Sequence, residues 1–272
     1  MPDQHRQFFE ELPFVVAGAL DSQGRPWATM FTGAPGFVRS PDDVTLTLHA
    51  NTDVLGGATE ARFEALAPIG LLGIQLETRR RNRANGVVRA RTNTHIDVAV
   101  KQSFGNCPKY IRPRKLGPTS RRPTAAERFG ATLPEAVLSL VNNADTFFLA
   151  TASRGAERAA GKAPEGVDVS HRGGPAGFVR VGWRDAGHTL SFPDYPGNNL
   201  FNSLGNLADN PIAGLLFVDF ESGDVAALHV ADAVVHWEPP RESVGAAAER
   251  WIELTVVEGH WRQGALPFTN PQ

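Results

Sequence analysis

The sequence predicts a mainly β fold with a few short helices. Its 272 residues include 27 Gly and 20 Pro, which imply frequent turns and follow no fixed period that would indicate a collagen-like chain. Short apolar runs are separated by turn signals such as Asp21-Ser22-Gln23-Gly24. The second half repeats the order of the first, which indicates a duplicated unit of short strands with one helix.

In the first half, each predicted element is bounded by residues that stop or turn the chain. Residues 4–12 have the pattern of a short amphipathic helix and end at Pro13, because proline cannot continue a helix. The apolar runs that follow predict strands at residues 14–20, 27–32, 44–49 and 70–77, and a pair of strands within residues 86–100. Between them, residues 51–67 predict a loop and a helix.

The second half matches the first segment by segment. Residues 147–152 match residues 14–19, and residues 213–220 (AGLLFVDF) match residues 69–76 (IGLLGIQL). Gly177-Phe178-Val179 matches Gly36-Phe37-Val38. Helices are predicted at residues 132–142, with Pro134 in the first turn, and at residues 200–209. The chain therefore divides into an N-terminal repeat (residues 1–105), a linker segment rich in Pro and basic residues (106–132) and a C-terminal repeat (133–272).

Composition excludes several function classes. The 27 Lys+Arg and 29 Asp+Glu give a formal net charge of -2, so there is no global attraction to nucleic acid or to a membrane surface. No apolar run approaches the roughly 20 residues that span a bilayer, and the first residues lack the apolar core of a signal peptide. One Cys excludes an internal disulfide, and the scattered His form no metal-binding motif. We expect a cytoplasmic protein with no bound metal, no nucleic-acid partner and no membrane partner.

Residues 168–211 hold the candidate ligand site. A predicted strand edge presents polar and cationic side chains, and a loop at residues 194–199 opens the predicted helix. The candidate residues are Ser170, His171, Arg172, Asp194, Asn198 and Asn199. A helix start supplies free N–H groups, and Arg can hold phosphate through a bidentate fork, so the pattern indicates a phosphorylated ligand. The alternatives are a surface salt bridge from Arg172 and an Asx-type cap on the helix.

The equivalent loop of the first repeat, residues 51–57, carries Asp53 and no basic residue. It is a poorer phosphate site, so we expect the two repeats to differ in binding. Two other segments bear reactive or charged groups. Cys107 is followed by Lys109 and Tyr110, and we assign no catalytic role to this thiol because no base is placed beside it by spacing. Arg79-Arg80-Arg81-Asn82-Arg83 reads as a charged hairpin turn that either faces solvent or reaches across to the other repeat.

These segments resemble a known family. The run VDVSHRGGPAGFVRV, followed by LSFPDYPGNNLFNSLGNLADNPIAGLLFVDF, and the run GNCPKYI at residues 105–111 are similar to the FMN-binding split barrels of the pyridoxamine 5'-phosphate oxidase-like superfamily, in its uncharacterised flavin-nucleotide-binding branch. The resemblance implies two tandem split β-barrels that form a pseudo-dimer and bind FMN between them. It also implies phosphate contacts from Arg172, Ser170 and the 198–199 loop, with Lys109 and Tyr110 approaching from the linker.

The resemblance implies an FMN-dependent oxidoreductase that acts on an unidentified small molecule, with NAD(P)H or a redox partner as electron source. Split-barrel flavoproteins of this superfamily usually place FMN between the two subunits of a homodimer, so a homodimer of this chain is a further expectation. The sequence departs from the true oxidases at Val167, where they carry an Arg, and in its C-terminal tail. Two alternatives stay open: a non-catalytic module that binds or stores a flavin nucleotide, and the same fold with F420 or haem as its ligand.

Overall fold

A computed structural model describes residues 1–50, 52–156, 165–197, 201–238 and 248–270 of the chain. Asn198 and Asn199 lie outside these described residues. The fold is mainly β, and the described helices are short: α1 (Asp3–Glu10), α2 (Glu135–Asn143) and α3 (Asn202–Asp209). No helix in these ranges is long and apolar enough to cross a membrane.

The first half forms a seven-stranded sheet. Its strands are β1 (Phe14–Leu20), β2 (Pro26–Thr32), β3 (Val38–Arg39), β4 (Thr45–Leu48), β5 (Pro68–Gln75), β6 (Arg80–Arg91) and β7 (Ile96–Gly105). They pair in the order β2-β1-β5-β6-β7-β4-β3, and the pairings are antiparallel. All seven strands contribute side chains to one apolar cluster, so the sheet curls around that cluster as a half-barrel.

The second half forms an eight-stranded sheet of the same plan. After the short strands β8 (Gly117–Pro118) and β9 (Glu127–Phe129) come β10 (Thr146–Ala152), β11 (Val167–Gly173), β12 (Arg180–Arg184), β13 (Gly187–Asp194), β14 (Ala213–Val218), β15 (Val225–His236), β16 (Arg250–Arg262) and β17 (Phe268–Thr269). The order in the eight-stranded sheet is β11-β10-β14-β15-β16-β13-β12, with β9 paired to β16. Strands β8 and β17 form a separate two-stranded sheet. Position by position, the order given for the eight-stranded sheet is the strand order of the first sheet.

The two sheets pack against each other, and the central strands are buried on both faces. In β1, Val15 faces the cluster inside the first sheet, whereas Val16 faces a cluster shared by both halves. In β10, Phe147 faces the cluster inside the second sheet and Phe148 faces the shared one. This double burial explains why β1, β5, β10 and β14 are almost continuously apolar in sequence.

Two glycines at equivalent positions let the halves approach closely. A Cβ on Gly70 would lie 2.8 Å from the carbonyl oxygen of Val167 in β11. A Cβ on Gly214 would lie 2.5 Å from the Cα of Trp27 in β2. Gly70 and Gly214 hold the same place in β5 and β14, so the two contacts are reciprocal, as in a twofold dimer.

The linker segment packs against the second half. Arg112 and Arg114 both bind the buried carboxylate of Asp145, at 3.0 Å and 2.6 Å. Strand β8 pairs with β17 near the end of the chain. The linker is thus packed as part of the fold. The division into three segments by residue number stays a prediction.

The structure corrects three details. Residues 52–67 form turns without a helix. Only Arg79 of the Arg-rich run lies in a turn, at φ +58°, and Arg80–Arg91 is strand β6. The repeat is shifted by one residue in the first strand, because Gly18 and Ala150 are the residues paired with Gly70 and Gly214. A shift of one residue exchanges the two faces of a strand, which an apolar run buried on both faces cannot reveal.

Candidate functional site

A buried polar network joins the halves where β6, β11 and α3 meet. Arg83 Nη1 donates to both carboxylate oxygens of Asp168, at 3.0 Å and 2.8 Å. Asn85 Nδ2 donates to the same carboxylate at 3.2 Å, and Ser203 Oγ donates to it at 2.5 Å. Ser203 Oγ also lies 2.9 Å from Ser170 Oγ. Asp168 is 3% exposed, so this carboxylate depends on these donors for solvation.

Beside this network lies a small cavity between the two halves, which we call the cationic cavity. Its volume is about 90 Å³. The basic side chains that line it are Arg81, Arg83, Lys109, Arg172 and Arg250. They come from β6, the linker, β11 and β16, so neither half could form the cavity alone.

Two of these cations share one carboxylate. Asp194, at the end of β13, forms ion pairs with Arg172 and, at 2.8 Å, with Arg250 Nε. The Arg250 guanidinium also lies 4.7 Å from the ring centroid of Phe201 and 5.7 Å from that of Trp237. Asp194 therefore acts in this structure as the partner that fixes Arg172 and Arg250.

Unlike the other three arginines that line the cavity, Arg81 contacts no carboxylate among the described residues. Its Nη1 lies 2.9 Å from His171 Nδ1 and 3.5 Å from the His171 carbonyl oxygen. Burial, together with the nearby Arg83 and Arg172, lowers the pKa of Arg81 to about 10. Burial and the same cationic surroundings hold the pKa of His171 well below its usual value of 6.5, so the imidazole is neutral.

The cavity walls carry buried hydrogen-bond donors with no acceptor among the described residues. These are Arg81 Nε, Arg83 Nε, Arg172 Nε and His171 Nε2. Leaving a buried donor unpaired costs about 1–3 kcal/mol. Five cations and a single carboxylate line this cavity, together with several such donors. This set of groups is chemically complementary to an anion rich in acceptor oxygens.

Aromatic side chains border the cationic cavity. The rings of Tyr110 and Tyr195 stack with centroids 5.0 Å apart, and Tyr110 Oη donates to the Pro196 carbonyl oxygen at 3.2 Å. Tyr110 has φ +64°, a left-handed conformation that is uncommon for a residue other than glycine. The linker thus brings Tyr110 onto the second half at the border of the cavity.

A second, larger cavity lies on the other side of the Arg83–Asp168 pair. It measures about 890 Å³ and shares Phe201 with the cationic cavity. Its lining includes amide side chains, among them Asn85, Gln102 and Asn206, together with the apolar Val87 and Val167. This volume lies within the range of about 300–1,000 Å³ that is usual for small-molecule sites.

The structure brings most of the sequence-predicted residues together. Ser170, His171, Arg172, Asp194, Lys109 and Tyr110 all border the cationic cavity. Whether they bind a ligand stays a prediction, and the two Asn of the 198–199 loop lie outside the described residues. Sequence reasoning missed Arg250, because this residue lies far along the chain from the other candidate residues of the second repeat. It left Arg81 and Arg83 open as surface or cross-repeat residues, and both reach the other half.

The equivalent place in the first half is filled. Pairing across β1 and β10 puts Phe31 where Arg172 lies and Trp27 where Asp168 lies. Trp27 is buried and donates from Nε1 to Asp21 at 3.1 Å. In the following loop, the Asp53 carboxylate accepts the backbone N–H groups of Leu55 and Gly57. The N–H groups of this turn therefore already have an acceptor within the chain.

Within the ranges that the structure describes, no group of three or more His, Cys, Asp or Glu is placed to hold a metal ion. Cys107 lines the cationic cavity as a free thiol. The site is therefore built of guanidinium, amide and hydroxyl donors.

Comparisons with known proteins add little. No protein-family model matches the chain, and no curated protein matches it in sequence. Among solved structures, HupZ of Group A Streptococcus is similar over 39% of this chain and 93% of its own, at 15% identity and a TM-score of 0.31. A point variant of HupZ covers 47% of this chain and 98% of its own, at 16% identity and a TM-score of 0.33. The K. pneumonia MrkH–c-di-GMP complex covers 90% and 78%, at 10% identity and a TM-score of 0.23. Such scores support no conclusion about function, which has to be argued from the site itself.

Proposed function

We propose that the chain is a flavoprotein of the split-barrel class that holds the phosphate of FMN in the cationic cavity. The observation that carries the proposal is the set of buried donors around that cavity that have no acceptor among the described residues. A phosphate monoester offers acceptor oxygens and negative charge together, and it meets both needs of the site.

The arrangement of the halves supports a pseudo-dimer. The two sheets share one strand order, and residues from both line the cavity. A site between two copies in one chain needs no second molecule, and it allows the two equivalent positions to diverge. Since Phe31, Trp27 and Asp53 fill the position in the first half, we expect one FMN per chain.

The remainder of FMN needs more room than the cationic cavity provides. The adjoining cavity of about 890 Å³ is large enough for the ring system, and its amide side chains can donate to and accept from a heterocycle. Asn85 is a candidate contact, because its Oδ1 is buried with no donor among the described residues. FMN would supply hydride or electron transfer, while the chain binds and orients it and limits its exposure to water.

We assign the reaction to the oxidoreductase class, acting on a small molecule with NAD(P)H or a redox protein as electron source. A non-catalytic flavin-nucleotide module is the alternative. The absorbance spectrum of the purified protein, with the released chromophore identified by mass, tests the ligand. FMN supports the proposal, whereas F420, haem, or a colourless protein that takes up no added FMN overturns it. Bleaching of bound flavin by NADH or NADPH distinguishes the enzyme from the binding module.

Two arginines of strand β6, Arg81 and Arg80, provide a variant and its control that test where the phosphate binds. Arg81→Met removes a guanidinium that contacts no carboxylate among the described residues, so it should weaken FMN binding by roughly 10- to 150-fold, as loss of a charge-assisted contact worth about 1.5–3 kcal/mol. Arg80→Met is the control, since Arg80 is exposed and lies over the Phe8 ring, 5.0 Å from its centroid. Equal affinities in the two variants would place the phosphate elsewhere.

A further inference from the structure

We propose that His171 binds the phosphate as an uncharged N–H donor, with its tautomer fixed by Arg81, so that the site selects the dianion of a phosphate monoester. This inference rests on the proposed function, because it requires a phosphorylated ligand in the cationic cavity. It assigns Arg81 a second role, as the positioning residue of a histidine that lies 90 residues away in the other half.

The tautomer follows from hydrogen-bond geometry. A guanidinium has five N–H donors and no acceptor, so the 2.9 Å contact between Arg81 Nη1 and His171 Nδ1 requires Nδ1 to accept. A neutral imidazole that accepts at Nδ1 carries its proton on Nε2. That Nε2 is buried and has no partner among the described residues, and His171 is one of the residues that line the cavity. We therefore assign Nε2 as the donor to a ligand bound there.

The charges around the ring keep it neutral. The cations that act on the ring are Arg81 from β6, Arg172 from its own strand and Arg114 from the linker. Arg83 and Arg250 line the same cavity. The other titratable groups that line the cavity are Cys107, Lys109, Tyr110, Asp194 and Tyr195. The Phe148 ring packs edge-on against the imidazole, 5.9 Å between centroids. A proton on Nδ1 would also break the contact with Arg81. Burial and these cations therefore favour the neutral form of His171.

The consequence is a pH dependence with a definite sign. A phosphate monoester has a second pKa of about 6, so it loses its second negative charge between about pH 7.5 and pH 5. If His171 stays neutral, FMN binding weakens by about tenfold over that interval, in parallel with the dianion fraction. If His171 becomes an imidazolium in the complex, the added cation strengthens binding at acid pH.

The test measures FMN affinity by quenching of flavin fluorescence at about pH 5, pH 6 and pH 7.5, with near-UV circular dichroism to establish that the protein is folded at each pH. Riboflavin, which has no phosphate, is the matched ligand and should show no such trend. His171→Gln keeps a neutral donor and should keep the slope. Histidine ¹⁵N NMR of the unliganded wild-type protein should show Nδ1 unprotonated and Nε2 protonated, and Arg81→Met should release this preference.

The outcomes separate the two proposals. FMN binding that is flat or stronger at low pH, or an imidazolium signal in the complex, overturns the role of His171 and leaves the flavoprotein proposal standing. The opposite tautomer in the NMR spectrum overturns it as well. No FMN binding at any pH overturns both proposals.

Discussion

The buried pair Arg83–Asp168 offers the sharpest test of how the halves are joined. Arg83→Met keeps the length and apolar stem of the side chain but leaves the Asp168 carboxylate buried with two donors, Asn85 and Ser203. Removing one partner of a buried ion pair costs about 3–5 kcal/mol. For a chain of this size, that loss corresponds to a fall in Tm of roughly 6–20 °C. Urea denaturation followed by circular dichroism measures the change directly.

The control and the refuting result are equally specific. Arg184→Met removes an exposed pair with Glu253, at 3.4 Å, and should change the free energy of unfolding by less than about 1 kcal/mol. Asp168→Asn combined with Arg83→Met should recover part of the loss, because no buried charge is then left unpaired. If Arg83→Met destabilises the protein no more than Arg184→Met does, the network between the halves is solvated and the reasoning fails.

Two further predictions concern packing and pH. Gly70→Ala should lower the free energy of unfolding, measured by urea denaturation, by about 1–3 kcal/mol, because its Cβ would lie 2.8 Å from the Val167 carbonyl oxygen. Gly130→Ala, with open space around it, should be nearly neutral. Equal effects of the two substitutions would contradict the close approach of the sheets. Burial, with Arg25 nearby, lowers the pKa of His229, so the unfolded chain binds its proton first. The contribution of neutral His229 to the free energy of unfolding should therefore be fully present above about pH 6.5 and decrease as the pH falls toward 5. The decrease should be smaller in His229→Gln. An unchanged decrease in that variant would assign the effect to other groups.

The sequence predicted the duplicated strand plan because each strand is locally encoded. Apolar runs, turn residues and the matching glycines specify the order of elements in both halves, and the shared strand order confirms that repeat. The predicted helix at residues 51–67 was wrong because Asp53 and two glycines at positive φ, Gly56 and Gly57, favour turns over a helix.

The site was only partly predictable, for a different reason. Arg83 and Asp168 are 85 residues apart, and Arg81 and His171 are 90 apart, so no periodicity links them. A run of arginines in sequence looks like a solvated turn, and only the packing of β6 against β11 buries Arg83 and half-buries Arg81. Arg250 is fixed by Asp194, a pairing that composition and spacing do not encode.

The two halves differ in whether the polar groups at this place already have hydrogen-bond partners within the chain. In the first half, the Asp53 carboxylate receives the N–H groups of its own turn, and Phe31 and Trp27 replace polar side chains with rings. At the cationic cavity, Arg81 of the first half contacts no carboxylate and His171 Nε2 of the second half has no partner, among the described residues. For this reason we assign the proposed phosphate contact to the cationic cavity and not to the equivalent place in the first half.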